Sequence, residues 1–327
     1  MAVIIFGGGG FVGNWLTKAL VQNNERIIIC DIEGSPVHEQ ARFISCDIKN
    51  IDNFKQIPIS SEDIVINLAA NQYHHKPQRR NTQEYFFDAN TQGTKNILDF
   101  LVSAGGRKFV QYTTDMIYGK PQYLPIDIHH PQIPFGPYGQ SKKASEDICR
   151  EYRKKGIDIT IFRPRMIIGP GRLGILKKLF FLIHHNLPVP TIGSGKNCYQ
   201  MASVFDCVSA TIAAIQHGCP NKEYNLGSKN PPTERELLKN LIKKTGSHSP
   251  VIPTNGKMVK AMLSFLGAIG LEIMYREQYM IADEDYILDI SETEQDLNWT
   301  PRYSDQDMII EAYSDYISQL GENYEHK

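Results

Sequence analysis

The sequence predicts an α/β fold: a doubly wound parallel sheet carrying a smaller, interleaved C-terminal lobe. Three observations predict it. Short β-rich runs alternate with helical ones through the first half of the chain, most of those runs are apolar at consecutive positions, and a glycine cluster stands between the first strand and the first helix. Continuous apolar runs are the mark of strands covered on both faces, and strand, helix, strand in succession requires parallel pairing through right-handed crossovers.

The predicted strands are 3–6, 26–31, 42–46, 64–68, 108–113 and 157–163. Helical periodicity covers 11–22, 88–103 with a Gly105-Gly106 stop, and 141–155 with a stop at Gly156. Beyond about residue 165 the pattern changes, with proline and glycine clusters at 169–174, 188–195 and 230–232. Segment 204–217 reads as a strand end followed by a helix. A Thr233-x-x-Glu236 capping box opens another helix before Leu237, Leu238, Leu241 and Ile242. The expected organisation is a nucleotide-binding domain over 1–168, to which 203–228 returns, and a substrate lobe built from 169–202 and 229–327.

At 327 residues the chain holds about two domains on a prior of roughly 150 residues each, so it needs no covalent staple. Lys plus Arg number 35 against 36 Asp plus Glu, a formal charge of −1, with 41% hydrophobic residues. Such a balance gives no broad attraction to a nucleic-acid backbone or an anionic membrane, and any anion must be held by a local site. The six cysteines lie far apart without a C-x-x-C pair and read as reduced. Residues 2–6 run straight into glycines with no secretory leader pattern, so a cytoplasmic location is expected. The longest apolar stretch, 261–271, is far shorter than the roughly 20 residues that span a bilayer, and is expected to be a buried helix.

Gly7-Gly8-Gly9-Gly10-Phe11-Val12-Gly13 follows the first strand directly and contains Gly8-x-Gly10-x-x-Gly13 as well as Gly7-x-x-Gly10-x-x-Gly13. Glycine is needed where a tight turn takes positive φ and the backbone closes on a pyrophosphate, whose charge then sits on a helix N-terminus. The bland reading is a flexible loop. Against it, Asp31 ends the next strand, where a carboxylate accepts hydrogen bonds from a ribose diol. That carboxylate repels a 2′-phosphate, and no arginine follows in Asp31-Ile32-Glu33-Gly34, so NAD is favoured over NADP. Asp47 and Ile48 are candidates for the adenine, or else a helix cap with a core residue.

Tyr138 and Lys142 stand four apart at the start of a helix, on one face. A nearby ammonium is expected to lower the phenol pKa so that the tyrosine exchanges protons with a hydroxyl. The same spacing is common in ordinary surface pairs, and its position after the strands of a nucleotide-binding sheet supplies the distinction. The pairs His74-His75, His129-His130 and His184-His185 lack ligand spacing, so no metal is expected.

Taken together, GGGGFVG (7–13), Asp31, CDI (46–48), NLAA (67–70), NTQGT (90–94), TTDMIYG (113–119), PYGQSK (137–142), FRPRMIIGPG (162–171) and LNWTP (297–301) resemble the extended short-chain dehydrogenase/reductase superfamily. The resemblance is to its NAD-dependent epimerase/dehydratase group, which modifies nucleotide sugars on a Rossmann sheet. It implies a reaction by hydride transfer at a sugar carbon, as 4-epimerisation or 4-keto reduction. It also implies that Thr114 hydrogen-bonds the reacting hydroxyl, Tyr138 is the general base, and Lys142 is its partner and a ligand of the nicotinamide ribose. The implied cofactor set is Gly7, Gly10, Phe11, Val12, Gly13, Asp31, Asp47, Ile48, Leu68, Ala69, Ala70, Asn90, Tyr138 and Lys142. Helices at 88–104 and 141–155 are implied to form a homodimer interface.

Departures from the pattern narrow the reaction. In the 4,6-dehydratases the segment at Thr114-Asp115-Met116 usually reads Thr-Asp-Glu, and Met116 removes one of the two acids, which disfavours dehydration. Met166 and Tyr199-Gln200 stand where nucleotide-sugar epimerases often carry Asn and Arg-Asp. FRPRMIIGPG also resembles the branch that acts on hydroxysteroids and β-keto acids, which is the alternative substrate class; a non-catalytic NAD-binding relative is a further one. Candidate substrate contacts are Asp115, Met116, Arg165, Arg172, Lys177, Tyr199, Gln200 and Arg276, with Lys178 and Lys196 as further phosphate ligands.

Overall fold

A computed structural model describes residues 1–23, 25–33, 38–73, 82–271 and 273–325, with side chains to 321. His74, His75 and Gly34 lie outside the described residues. In chain order the first half runs β1 (Ala2–Phe6), α1 (Phe11–Gln22), β2 (Arg26–Asp31), β3 (Ala41–Ser45), β4 (Ile64–Asn67), α2 (Thr82–Phe87), α3 (Thr94–Ser103), β5 (Lys108–Tyr112), α4 (Pro137–Lys154) and β6 (Asp158–Pro164). The second half adds β7 (Ile167–Ile168), α5 (Leu176–His184), β8 (Val189–Pro190), β9 (Ala202–Ser203), α6 (Val204–Gln216), β10 (Glu223–Leu226), α7 (Glu234–Lys244), β11 (Val251–Ile252), α8 (Gly256–Ala268), α9 (Arg276–Tyr279), α10 (Ser291–Leu297) and α11 (Asp305–Glu325).

Seven parallel strands form the central sheet in the order β10-β6-β5-β4-β1-β2-β3. The chain winds outward from β1 in both directions, and this reversal opens a crevice at the carboxyl ends of β1 and β4. Alternate residues of each strand feed opposite cores. Val3, Ile5, Ile27, Ile29 and Ile66 pack with Leu16 and Leu20 of α1 and Cys207, Ala210 and Ala214 of α6. Ile4, Phe6, Ile28 and Val65 pack with Ile97, Leu98 and Leu101 of α3 and Cys149 of α4. Thus strand 223–226 and helix α6 close one edge and one face of the first sheet. A third cluster joins α5, α7 and α11 through Phe180, Ile183, Leu237, Leu241, Ile309 and Ala312.

Local chemistry explains where the expected boundaries shift. The helix expected at 141 starts at Pro137, because Gly136 takes an extended N-cap conformation and proline at the first position costs no hydrogen bond. That puts Tyr138 in the first turn. The run expected as one helix over 88–103 is α2, a π-helical stretch (Asp88–Gly93) and α3. There the Thr94 hydroxyl donates to the Asn90 carbonyl at 2.7 Å, and Gly93 leaves room for the Ile48 side chain. The Thr233 capping box forms as expected, with Glu236 N donating to the threonine hydroxyl and Thr233 N to the Glu236 carboxylate. The six cysteines are free.

The apolar stretch 261–271 does not form the buried helix expected. It lies in α8 and the turn after it, where only Leu263 is buried while Met262, Phe265, Ile269 and Leu271 are exposed. The helix is apolar on both sides, and one side finds the body of the protein while the other faces out. No described helix is long and apolar enough to cross a membrane.

Candidate active site

The glycine loop is shaped for close approach. Gly7 takes φ of +76°, and a Cβ there would lie 2.7 Å from Ala69 Cα. A Cβ on Gly13 would come within 2.6 Å of the Gly7 carbonyl oxygen, so α1 can pack against the loop only through glycine. Gly10 caps α1 without any side-chain hydrogen bond, leaving first-turn N–H groups for an anion. At the end of β2 the Asp31 carboxylate accepts from Gly9 N at 3.0 Å and Ile32 N at 2.8 Å. These two bonds fix its orientation and leave lone pairs for a diol; burial pushes its pKa up, against the backbone donors. Phe11 and Val12 are half-buried in the first turn, and Leu68, Ala69 and Ala70 line the end of β4 alongside. This cradle fits a dinucleotide.

Three members of the expected cofactor set also make structural contacts. Ile48 is buried in the core, its carbonyl bound by Asn96, while Asp47 ties down the turn at Lys49 N. Asn90 spends both amide protons, on Ser141 Oγ at 2.9 Å and the Asn71 carbonyl, and accepts from Asn71 N. It anchors the residue next to Lys142.

Thr114, Tyr138 and Lys142 converge at the carboxyl ends of β5 and the start of α4. The Thr114 hydroxyl accepts from Met116 N and donates to Asp115 Oδ1 at 3.1 Å, and it stands beside the Tyr138 phenol. Lys142 is buried, and its ammonium donates to the Tyr112 carbonyl at 3.0 Å. Burial lowers its pKa to about 8, with Cys149 and Glu146 opposing.

The expectation that Lys142 lowers the Tyr138 pKa is not met here. Burial raises the phenol above its ordinary value, Asp115 and Glu277 raise it further, and the cation that opposes them is Arg172. The cause is the aromatic wall: Tyr73 and Phe86 pack against the Tyr138 ring with centroids 5.6 Å away, and Tyr275 stacks on Tyr73 at 4.0 Å. Held in this way, Tyr138 is a neutral phenol.

Sequence reasoning missed Glu277. This buried carboxylate accepts from Tyr138 N and Gly139 N, both at 3.2 Å, and from the Tyr73 hydroxyl, so it occupies the N-terminus of α4. Its partner lies 139 residues earlier, and no local pattern marks it. Also missed was the buried pair of Arg163 and Glu146 (2.7 Å), which ties β6 to α4 one turn beyond Lys142 and holds Thr113 by a 2.7 Å bond.

The expected substrate contacts divide. Arg172 reaches the site, bonding Gln72 and acting on the Tyr138 charge, and Met116 lies half-buried in a small recess with Phe135 and Glu277. Arg165 is enclosed by protein. It is buried between the rings of Tyr199 (4.2 Å) and Tyr286 (4.1 Å), pairs with Asp115 and donates to the Gln200 carbonyl. The Gln200 side chain is likewise spent on Ser228 and Leu288. Lys177, Lys196 and Arg276 are exposed, and Lys178 caps the Ile273 carbonyl. Among the described residues, no group of three or more His, Cys, Asp or Glu is arranged to hold a metal.

A family profile described as "NAD dependent epimerase/dehydratase family" matches residues 3–227, more than half the chain. The chain belongs to this family. It is an enzyme of the NAD-dependent epimerase/dehydratase class, and NAD is its cofactor. An uncharacterized protein of Sinorhizobium fredii, y4nG, is 30% identical over 96% of this chain and 78% of its own length. The UDP-glucose 4-epimerase of Lacticaseibacillus casei is 26% identical over 95% of both chains. Among solved structures, UDP-glucuronic acid 4-epimerase from Bacillus cereus in complex with NAD superposes with a TM-score of 0.77 at 22% identity, covering 98% of this chain and 99% of that one. That likeness is one of fold.

Proposed function

We propose that the enzyme transfers hydride at C4 of a nucleotide-linked hexose, in 4-epimerisation or 4-keto reduction, within glycan or polysaccharide biosynthesis. The observation that supports the reading is the placement of Thr114 at the carboxyl end of β5 next to Tyr138, with buried Lys142 one turn along α4, on the same sheet as the glycine cradle. NAD, held by the loop Gly7–Gly13 and by Asp31, supplies the hydride acceptor when bound. Thr114 orients the substrate hydroxyl, and Tyr138 Oη takes its proton as hydride leaves the same carbon. Arg172 supplies the positive charge that favours the phenolate, and Lys142, one turn along α4 and fixed by the Tyr112 carbonyl, is the ligand for the nicotinamide ribose. Arg172 is the side chain for the diphosphate.

Dehydration is disfavoured by two features together. Met116 carries no acid, and Asp115 is buried and held in an ion pair with Arg165. The proposed organisation retains a nucleotide-binding domain over 1–168 with 203–228, and a substrate lobe over 169–202 and 229–327. We place the enzyme in the cytoplasm as a homodimer joined through α3 and α4, which lie side by side and are linked by Tyr152 and Asp99; light scattering showing only monomer would refute the dimer.

The test is thermal stabilisation of the NAD-loaded enzyme by UDP-, TDP-, GDP- and CDP-hexoses against hydroxysteroids. A ligand at about 100 times its Kd stabilises by about 2.7 kcal/mol. Stabilisation by an apolar alcohol and by none of the nucleotides would overturn the sugar reading.

A further inference from the structure

Helix α8 is apolar on two opposite sides. Val259, Leu263 and Leu266 face the protein, while Met258, Met262, Phe265 and Ile269 recur at i, i+4, i+7 and i+11 and form one outward stripe. Phe265 is 65% exposed and Met258 70%. Leu271 and Ile273 carry the stripe past the helix end, also exposed. A helix that is hydrophobic all round is ordinarily buried on both sides, and a contiguous exposed apolar patch of this kind marks an interaction surface.

The charges around the stripe identify what it meets. Exposed Lys177 and Lys178 of α5 border the stripe, and the one acid in its sequence is Glu272, between Leu271 and Ile273. α5 meets the patch at its C-terminal end. Lys178 of α5 bonds the Ile273 carbonyl at 3.1 Å, and exposed Phe181 stands one turn further along the same helix. Lys257 flanks the stripe at its start, whereas Lys260 is neutralised by Asp283.

We propose that the outer face of α8, extended by Leu271, Ile273 and Phe181, docks onto an anionic lipid surface. Apolar side chains at helical spacing with lysines at their edge are the pattern of a helix lying in a membrane interface, where buried apolar area and attraction to anionic headgroups act together. At 13 residues α8 lies on a bilayer and does not cross it. The docked segment runs directly into the active-site wall, because Tyr275, two residues beyond Ile273, stacks on Tyr73, and Glu277 of α9 holds the backbone of Tyr138.

The experiment is co-sedimentation of the full chain with phosphatidylcholine vesicles, with and without phosphatidylglycerol. Binding is expected to the anionic vesicles, to weaken with salt, and to be lost in a Met262→Glu/Phe265→Glu double variant. Lys257→Gln is expected to weaken it about fivefold. All these side chains are exposed, and an unchanged thermal midpoint and NAD affinity report that the variants are folded. Failure of the wild type to sediment with anionic vesicles overturns the proposal, as does undiminished binding by the double variant. So does a dimer that Phe265→Glu dissolves without any vesicle binding, which would assign the face to a second copy of the chain.

Discussion

Replacing Lys142 with methionine is expected to stabilise the ligand-free enzyme while removing its activity. The ammonium is fully enclosed, and burial drops its pKa from an ordinary 10.5 to about 8. At about 1.36 kcal/mol per pH unit, holding it charged in the folded state costs about 3 kcal/mol at neutral pH. Methionine has a similar length, carries no charge and forfeits the bond to the Tyr112 carbonyl. That carbonyl keeps a 3.2 Å bond from Gln111 Nε2, so the loss is about 1 kcal/mol. The net gain near pH 7 is about 2 kcal/mol. The sign of the pH dependence follows from proton counts. Between about 8 and 10.5 the unfolded chain holds the Lys142 proton that the folded chain has released, so wild-type stability rises with pH across that window. The variant lacks this rise, and its advantage shrinks as pH passes from about 7 to about 10. Urea unfolding midpoints of both proteins at the two pH values measure it. A variant less stable than wild type near neutral pH, or a gap that does not narrow, would refute the reasoning.

Asp31→Ala is expected to narrow the preference for NAD over NADP, measured by titration with both cofactors; tighter NADPH binding by the wild type would contradict the Asp31 assignment. Gly13→Ala places a methyl 2.6 Å from the Gly7 carbonyl and is expected to weaken NAD binding at least tenfold, about 1.4 kcal/mol, by calorimetry. Glu277→Gln removes a negative charge that raises the Tyr138 pKa, so the rise of rate with pH is expected to move to lower pH. Met116→Glu restores the missing acid residue but leaves Asp115 paired with Arg165, so no 4,6-dehydration product is expected by mass spectrometry of the sugar product.

The sheet and its glycine cradle were legible because both depend on local pattern. Apolar runs in 26–31 and 64–68, and a helix over 11–22, need only their own residues to be recognised, and the structure places those strands and that helix within one residue. The Tyr138 and Lys142 spacing was legible for the same reason. What long-range packing decides was not. Glu277 reaches α4 from a distant helix, Arg165 is enclosed by two tyrosines and paired with Asp115, and the Tyr138 pKa is raised by burial among the rings of Tyr73 and Phe86. In α8 the hydrophobic pattern predicted burial, because composition cannot distinguish a face covered by protein from one left outward.

The central claim is that Tyr138 moves the proton in a hydride transfer to NAD. The direct measurement is single-turnover appearance of reduced nicotinamide absorbance when the substrate-panel nucleotide sugar is added to NAD-loaded wild type and Tyr138→Phe enzyme. The variant keeps the ring between Tyr73 and Phe86 and loses only the hydroxyl. The predicted result is a fall in rate of about 10² to 10⁴ with NAD affinity unchanged. Reduction at the wild-type rate in Tyr138→Phe would contradict it.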